Sequence, residues 1–376
     1  MRSAYASLLS DLSQWCALIV ILSLIGTSCV PTLGDQSSRG RVERDIVYGV
    51  VDGVALKMDL YYPKTMISSA PVAVYVHGGG WTRGDKASGA GLPEVQELVN
   101  RGYLVAAINY RLAPRYKFPA QIEDVKYAIR YLRANAQKYE ADPNRIGAWG
   151  GSAGGHLVAL LGVTDAKAGF DGSGGYLDQS SRVQAVVDMF GPADLTKLSA
   201  GATPRLLQII FGTTDRNDEI FKRASPVTYV SIDDPPFLIL HGELDELVPA
   251  NQSQILHEKL KATGVPSALV LVKNAGHGFS PAGGPISPSR QEITQMVADF
   301  FDRHLRNPRT EDVQVVSQTT MLGDVSTQEI SIFRTLAEVA SGTVTGPLLM
   351  ATVICALVIT VVCISRKRRR SPDLKR

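Results

Sequence analysis

The stretch Ile146-Gly147-Ala148-Trp149-Gly150-Gly151-Ser152-Ala153-Gly154-Gly155-His156 constrains this chain more than any other. Ile146 to Trp149 is a short apolar run of the kind a buried strand supplies. Gly150 to Gly154 turns the chain, and Gly155 to Leu161 reads as a helix packed on a sheet. Strand, G-x-S-x-G turn and helix, in that order, hold a serine hydroxyl on a sharp bend at a helix start. Small residues must flank the serine for the bend to close, and the N–H groups of the helix start favour negative charge developing there. The turn alone is a weak sign, because a glycine-rich connection can be purely structural. The rest of the chain has to decide.

Its neighbours alternate between two periodicities. Two alternating runs, Ile46-Val47-Tyr48 and Ala55 to Tyr61, flank Val51-Asp52-Gly53 and give a hairpin signal. Val72 to Val76 is a β-branched strand run, followed by His77-Gly78-Gly79-Gly80-Trp81. Leu92 to Arg101 is amphipathic, Tyr103 to Ile108 is a strand, and Pro119 to Gln137 has helical spacing through Ile122, Val125, Ala128, Ile129 and Leu132. After the serine come strands at Val183 to Phe190, Phe237 to Leu240 and Ser267 to Val272, with helices at Asn251 to Thr263 and Ser289 to Leu305. Strands alternating with helices predict an α/β fold, a mostly parallel twisted sheet with helices on both faces. In such sheets a site forms at the carboxyl ends of the strands. Unusual polar turns fall at four of those ends, after Val76, Trp149, Leu240 and Val272.

A serine hydroxyl needs a base to take its proton, and the base needs an orienting acid. Of the six histidines, His77 and His241 open turns that they can brace. His156 lies on the helix after Ser152, facing away from a substrate, and His257 and His304 sit on polar helices facing solvent. His277 alone follows the last strand at the active edge, between glycines, and is the expected base. Asp245 follows the Phe237 strand at its carboxyl end and is the expected acid, with Glu243 in reserve. Asp233 and Asp234 stand at the wrong end of that strand, and Glu246 reads as surface. The chain order is then Ser152, Asp245, His277. The oxyanion of a tetrahedral intermediate needs preorganised N–H donors. Gly79, Gly80 and Ala153 are the expected three.

HGGGW (77 to 81), NYRLAP (109 to 114), GGSAGG (150 to 155), the HGxxDxxVP pattern (241 to 249) and NAGHGF (274 to 279) together resemble the esterase and lipase branch of the α/β-hydrolase superfamily. That group includes hormone-sensitive-lipase-like carboxylesterases and bifunctional feruloyl and acetyl-xylan esterase-like proteins. Gly150-Gly151-Ser152 and the Asp188-Met189-Phe190-Gly191-Pro192 turn resemble the second subgroup more, since the first usually carries Asp where Gly151 stands. The likeness covers roughly Ile46 to Leu305. It implies a hydrolase of carboxylic esters working without metal or cofactor, on a small-molecule or polysaccharide ester. Neither HExxH, CxxC nor a phosphate loop occurs to suggest other chemistry. A peptidase or amidase of the same fold, a catalytically dead binding module and a purely structural surface domain are the competing expectations. The segments 164 to 179 and 195 to 227 read as a cap with no legible pocket.

The ends have a different character. All four cysteines, Cys16, Cys29, Cys355 and Cys363, lie in or beside two apolar terminal runs, so the central domain has no thiol chemistry. Trp15 to Gly26 has signal-peptide length, and residues 1–28 are expected to be a signal peptide or signal anchor. Residues 29–43 read as a linker, 44–306 as the catalytic domain and 307–343 as a stalk. Val344 to Ile364 is uncharged and long enough to cross a bilayer, and Arg366 to Arg370 follows it at once. The positive-inside rule keeps that cluster, within the tail 365–376, in the cytoplasm. The catalytic domain is thus expected on the extracytoplasmic side, anchored by a C-terminal transmembrane helix. A net charge of +3 in 376 residues, partly from the tail, carries no nucleic-acid signature.

Overall fold

Eight strands join into one sheet. The computed structural model describes residues 40–306 apart from 66–68, 90 and 199–203. In chain order the elements are β1 (Val42–Val51), β2 (Val54–Tyr61), β3 (Ala70–Val76), α1 (Leu92–Asn100), β4 (Leu104–Ile108), α2 (Ala120–Ala134), β5 (Ala141–Gly151), α3 (Ala153–Val163), β6 (Ala185–Met189), α4 (Pro204–Phe211), α5 (Glu219–Arg223), β7 (Phe237–Gly242), α6 (Asn251–Thr263), β8 (Ser267–Val272) and α7 (Arg290–Phe301). Across the sheet they run β1-β2-β4-β3-β5-β6-β7-β8. β1 pairs antiparallel with β2 and β2 with β4, and all other pairings are parallel.

The strand residues explain why both faces are covered. Along β3, Val72, Val74 and Val76 enter one core while Ala73 and Tyr75 enter the other. β7 does the same with Phe237 and Ile239 on one side and Leu238 and Leu240 on the other. A period of two with apolar residues on both sides leaves no face that water can wet. Ile122, Val125 and Ile129 of α2, Leu157 and Leu160 of α3, and Leu256 and Leu260 of α6 close one face. Leu98 of α1 and Ile293, Val297 and Phe301 of α7 close the other.

From β3 the chain steps outward to β4, then returns to place β5 on β3's opposite side. That reversal makes β3 and β5 the topological switch point, where open α/β sheets bind ligands. The turn carrying Gly79 and Gly80 follows β3, and Ser152 follows β5.

Several expected boundaries move. β1 begins at Val42, inside the segment read as linker, because the backbone N–H of Tyr62 reaches Arg41 O at 2.8 Å and the Arg41 guanidinium stacks on the Tyr62 ring. The helix expected to reach Gln137 ends at Ala134, and a separate turn of 3-10 helix covers Gln137–Tyr139. The expected signal segment 1–28, the stalk 307–343, the span 344–364 and the tail 365–376 lie outside the described residues. Among the described residues no helix is long and apolar enough to cross a membrane.

Candidate active site

The bend at Ser152 is built as its sequence requires. Ser152 has φ 58° and ψ −121°, a strained conformation for a residue with a side chain. Two hydrogen bonds hold it there: its N–H donates to Met189 O at 2.9 Å, and its carbonyl accepts from His156 N–H at 2.9 Å. β5 and α3 cross so closely that a methyl group on Gly150 would stand 2.6 Å from Val76 O and 2.7 Å from the Gly154 carbonyl carbon. Only glycine fits such an approach. A methyl on Gly154 would collide with Val76 O as well.

Three of the sequence candidates meet at this bend. His277 Nε2 lies 3.0 Å from Ser152 Oγ, and His277 Nδ1 lies 2.7 Å from Asp245 Oδ2. Asp245 accepts only, so Nδ1 carries the proton and Nε2 is left to receive one from the serine. The Asp245 side chain is buried, while His277 is partly open to the cleft. Burial alone would raise the Asp245 carboxyl. Hydrogen bonds from His241, His277 and the Val248 N–H outweigh it and hold the group well below the usual carboxylate range. Leu247 and Val248 N–H both reach Oδ1 at 2.9 Å, fixing the side chain in its turn. Glu243, the reserve acid, is exposed and takes no part, and Glu246 is exposed too. Asp234 caps its own turn through Ser231, far from the serine end of β7.

The remaining histidines brace the scaffold. His77 stacks on Tyr110 at 4.3 Å, and its Nδ1 donates to Gly78 O at 2.7 Å. Burial depresses its pKa. His241 Nε2 faces Val248 O at 2.8 Å and Asp245 Oδ2 at 3.4 Å, and Nδ1 faces Ser253 Oγ at 2.6 Å. A carbonyl can only accept, so Nε2 bears the proton and Ser253 donates to Nδ1. His156 is fully buried between Trp81 Nε1 at 3.2 Å and Ala224 O at 2.7 Å, and burial lowers its pKa to about 4. His257, expected in solvent, instead bonds Ser267 Oγ at 2.9 Å, tying α6 to β8. His304, also expected in solvent, packs its ring against Phe300.

Gly79, Gly80 and Ala153 line the same cleft as Ser152 and His277. Among the described residues their backbone N–H groups donate to no protein acceptor. The cleft has a volume of about 590 Å³. Its apolar wall includes Leu198 and Leu206 from the segment after β6, which the sequence marked as a cap without showing a pocket. Phe190 was missed as well. Its φ of 46° turns the ring under Gly151 and edge-on to His277, 5.0 Å away. The Asp188 to Pro192 turn was the available signal, since Gly191 and Pro192 mark a bend directly after a strand. Among the described residues no group of three His, Cys, Asp or Glu side chains is placed to hold a metal ion.

An eight-stranded, mostly parallel sheet with a serine elbow after β5 defines an α/β-hydrolase-like protein. The family model described as BD-FAE matches residues 58–260, and the chain belongs to that family. Esterase LipC of Mycobacterium tuberculosis is 35% identical over 264 residues, 68% of this chain and 64% of that protein. Isoprenylcysteine alpha-carbonyl methylesterase ICME of Arabidopsis thaliana is 31% identical over 72% of this chain and 65% of its own length. The chain thus spans just under two thirds of these curated relatives. A truncated carbohydrate esterase from gut microbiota superposes with a TM-score of 0.63 at 31% identity, covering 72% of this chain and 98% of that one. Esterase 2 of the planctomycete Thermogutta terrifontis superposes with a TM-score of 0.58 at 29% identity, covering 71% and 93%.

Proposed function

We propose that this chain is a serine carboxylesterase acting through Ser152, His277 and Asp245. One observation carries the reading: Ser152 Oγ, His277 and buried Asp245 form an unbroken hydrogen-bonded line, and Ser152 and His277 face the cleft. The esterase names of the relatives and the carbohydrate esterase among the structural neighbours support it. Ser152 Oγ attacks the ester carbonyl as its proton passes to His277 Nε2. Asp245 stabilises the imidazolium that forms. The carbonyl oxygen becomes an oxyanion and is received by the N–H groups of Gly79, Gly80 and Ala153. The C–O bond to the alcohol breaks, and that oxygen takes the proton back from His277. Water then repeats the sequence on the acyl-enzyme and frees the acid.

The substrates in this reading are short-chain or carbohydrate-linked esters, and the enzyme works outside the cytoplasm, tethered by residues 344–364. The test is hydrolysis of 4-nitrophenyl esters of increasing acyl length by the wild type and by Ser152→Ala. Loss of roughly 10⁴-fold or more in kcat/KM in the variant is expected. Equal activity in the two proteins would reject the assignment. Cleavage of amide but not ester analogues would favour a peptidase of the same fold.

A further inference from the structure

The walls of the cleft differ in chemistry. Phe190, Leu198, Leu206, Leu247 and Val248 are apolar, whereas residues 82–84 and 88–89 make a polar edge beside Gly79 and Gly80. Two lining side chains can be cationic. One is His277, which is engaged with Asp245 and Ser152. The other is Arg83, which is exposed and, among the described residues, makes no ion pair and no side-chain hydrogen bond.

Its neighbours explain why it stays unneutralised. Asp85, two residues on, spends its carboxylate on Asn109 Nδ2 at 3.0 Å and the Ala87 N–H at 2.8 Å. The Arg83 backbone is fixed beside the reacting centre. Its N–H donates to Gly79 O at 3.2 Å, and its Cγ lies 3.1 Å from where a methyl on Gly79 would stand. Gly79 is one of the three oxyanion donors assigned above. An unpaired guanidinium therefore leaves the backbone at the rim of the oxyanion turn, in a cleft with low-dielectric walls that concentrate its field.

We propose that Arg83 makes the enzyme selective for esters that carry a carboxylate close to the scissile bond. The inference rests on the esterase reading above. A guanidinium matches a carboxylate with two parallel N–H donors, which a neutral acyl chain or sugar hydroxyl does not use. Exposure weakens the contact through solvent and salt, so the selectivity is modest in size.

The test uses the full chain and two matched ester pairs. Mono-4-nitrophenyl succinate against 4-nitrophenyl butyrate puts the charge on the acyl side. 4-Carboxyphenyl acetate against phenyl acetate puts it on the alcohol side. In one pair, Arg83→Gln lowers kcat/KM for the anionic ester about three- to tenfold more than for its neutral partner. Arg83→Glu widens that gap, Arg83→Lys restores part of it, and added salt shrinks the wild-type preference. The responding pair identifies the side of the bond that Arg83 reads. If the anionic-to-neutral ratio moves by less than about twofold in both pairs for Arg83→Glu, the inference is overturned while the esterase reading stands. If the wild type hydrolyses neither neutral ester and Ser152→Ala changes nothing, the esterase reading fails and takes the inference with it.

Discussion

Two buried carboxyl groups, Asp245 and Asp188, both feel His241, and the fold treats them in opposite ways. Asp245 has four hydrogen-bonding partners and is kept ionised. Replacing it with Asn preserves shape but lets the side-chain amide donate to His277, inverting the tautomer that Ser152 needs. A fall of about 10⁴ in kcat with an unchanged far-UV spectrum is expected for Asp245→Asn. Asp188, at the end of β6, is fully buried as well. Its Oδ1 accepts from Gly191 N–H at 2.9 Å, and its Oδ2 meets no donor among the described residues. Burial pushes this carboxyl up to about 6, against the pull of the Gly191 N–H and His241. A group raised on folding stabilises fully below its unfolded pKa, the ordinary 3.8, and loses that contribution as pH rises through about 6. Asn at 188 keeps the acceptor for Gly191 and has no charge to lose. The stability of Asp188→Asn relative to wild type should therefore rise by about 2–3 kcal/mol between pH 4 and pH 7. Urea denaturation at the two pH values measures this, and a pH-independent difference would show that Asp188 does not titrate in that window.

At the scale of elements, the motifs are held in register by buried polar ties as well as by apolar packing. Arg111, in the loop after β4, bonds Asp124 of α2 at 2.8 to 3.0 Å and Asp52 of the β1–β2 turn at 2.6 Å. Arg111→Met leaves the buried Asp124 carboxylate without its guanidinium, keeping only the backbone N–H of residue 111, which costs about 3–5 kcal/mol. Adding Asp124→Leu should recover much of that, because the uncompensated charge is the main cost. A double variant no more stable than the single would refute this account. These ties also mark where the sequence stopped being legible. The strand cores, the helix at Asn251–Thr263 and the turns at Ser152, Asp245 and His277 followed from periodicity and from glycines around reactive residue types. β5 did not: it runs from Ala141, although Asp142, Pro143 and Asn144 resemble a turn, because Ala70 on β3 pairs with Ala141. The ion pair of buried Glu94 on α1 with half-buried Arg290 on α7, at 2.7 Å, was equally hidden. Neither residue type is singled out by its neighbours in sequence, and only their meeting across almost two hundred residues lets the Glu94 carboxylate lie buried. Phe190 escaped for a similar reason. Its role against His277 depends on a backbone angle that its type does not favour.

For the whole molecule, the proposed catalytic residues and the expected anchor occupy separate parts of the chain. Every described residue that lines the cleft lies between Tyr75 and Gly278, and the uncharged run 344–364 with its basic neighbour lies beyond the last described helix in the sequence. An apolar stretch of that length inserts strongly, and five consecutive cations resist transfer across the bilayer. The full chain should then remain in the membrane pellet after alkaline carbonate washing and enter the supernatant only with detergent. A chain of residues 40–306 should be soluble with the same kcat/KM on 4-nitrophenyl esters, since all eight strands and the described residues that line the cleft fall within it. Orientation needs a second measurement. A membrane-impermeant fluorophosphonate probe applied to intact cells should label the wild type at Ser152 and leave Ser152→Ala unlabelled. Labelling only after lysis would place the site on the cytoplasmic side and overturn the orientation. Release of the full chain by carbonate would remove the anchor. In either case the proposed chemistry at Ser152 would be untouched, because it rests on the switch point between β3 and β5 and not on where the chain is tethered.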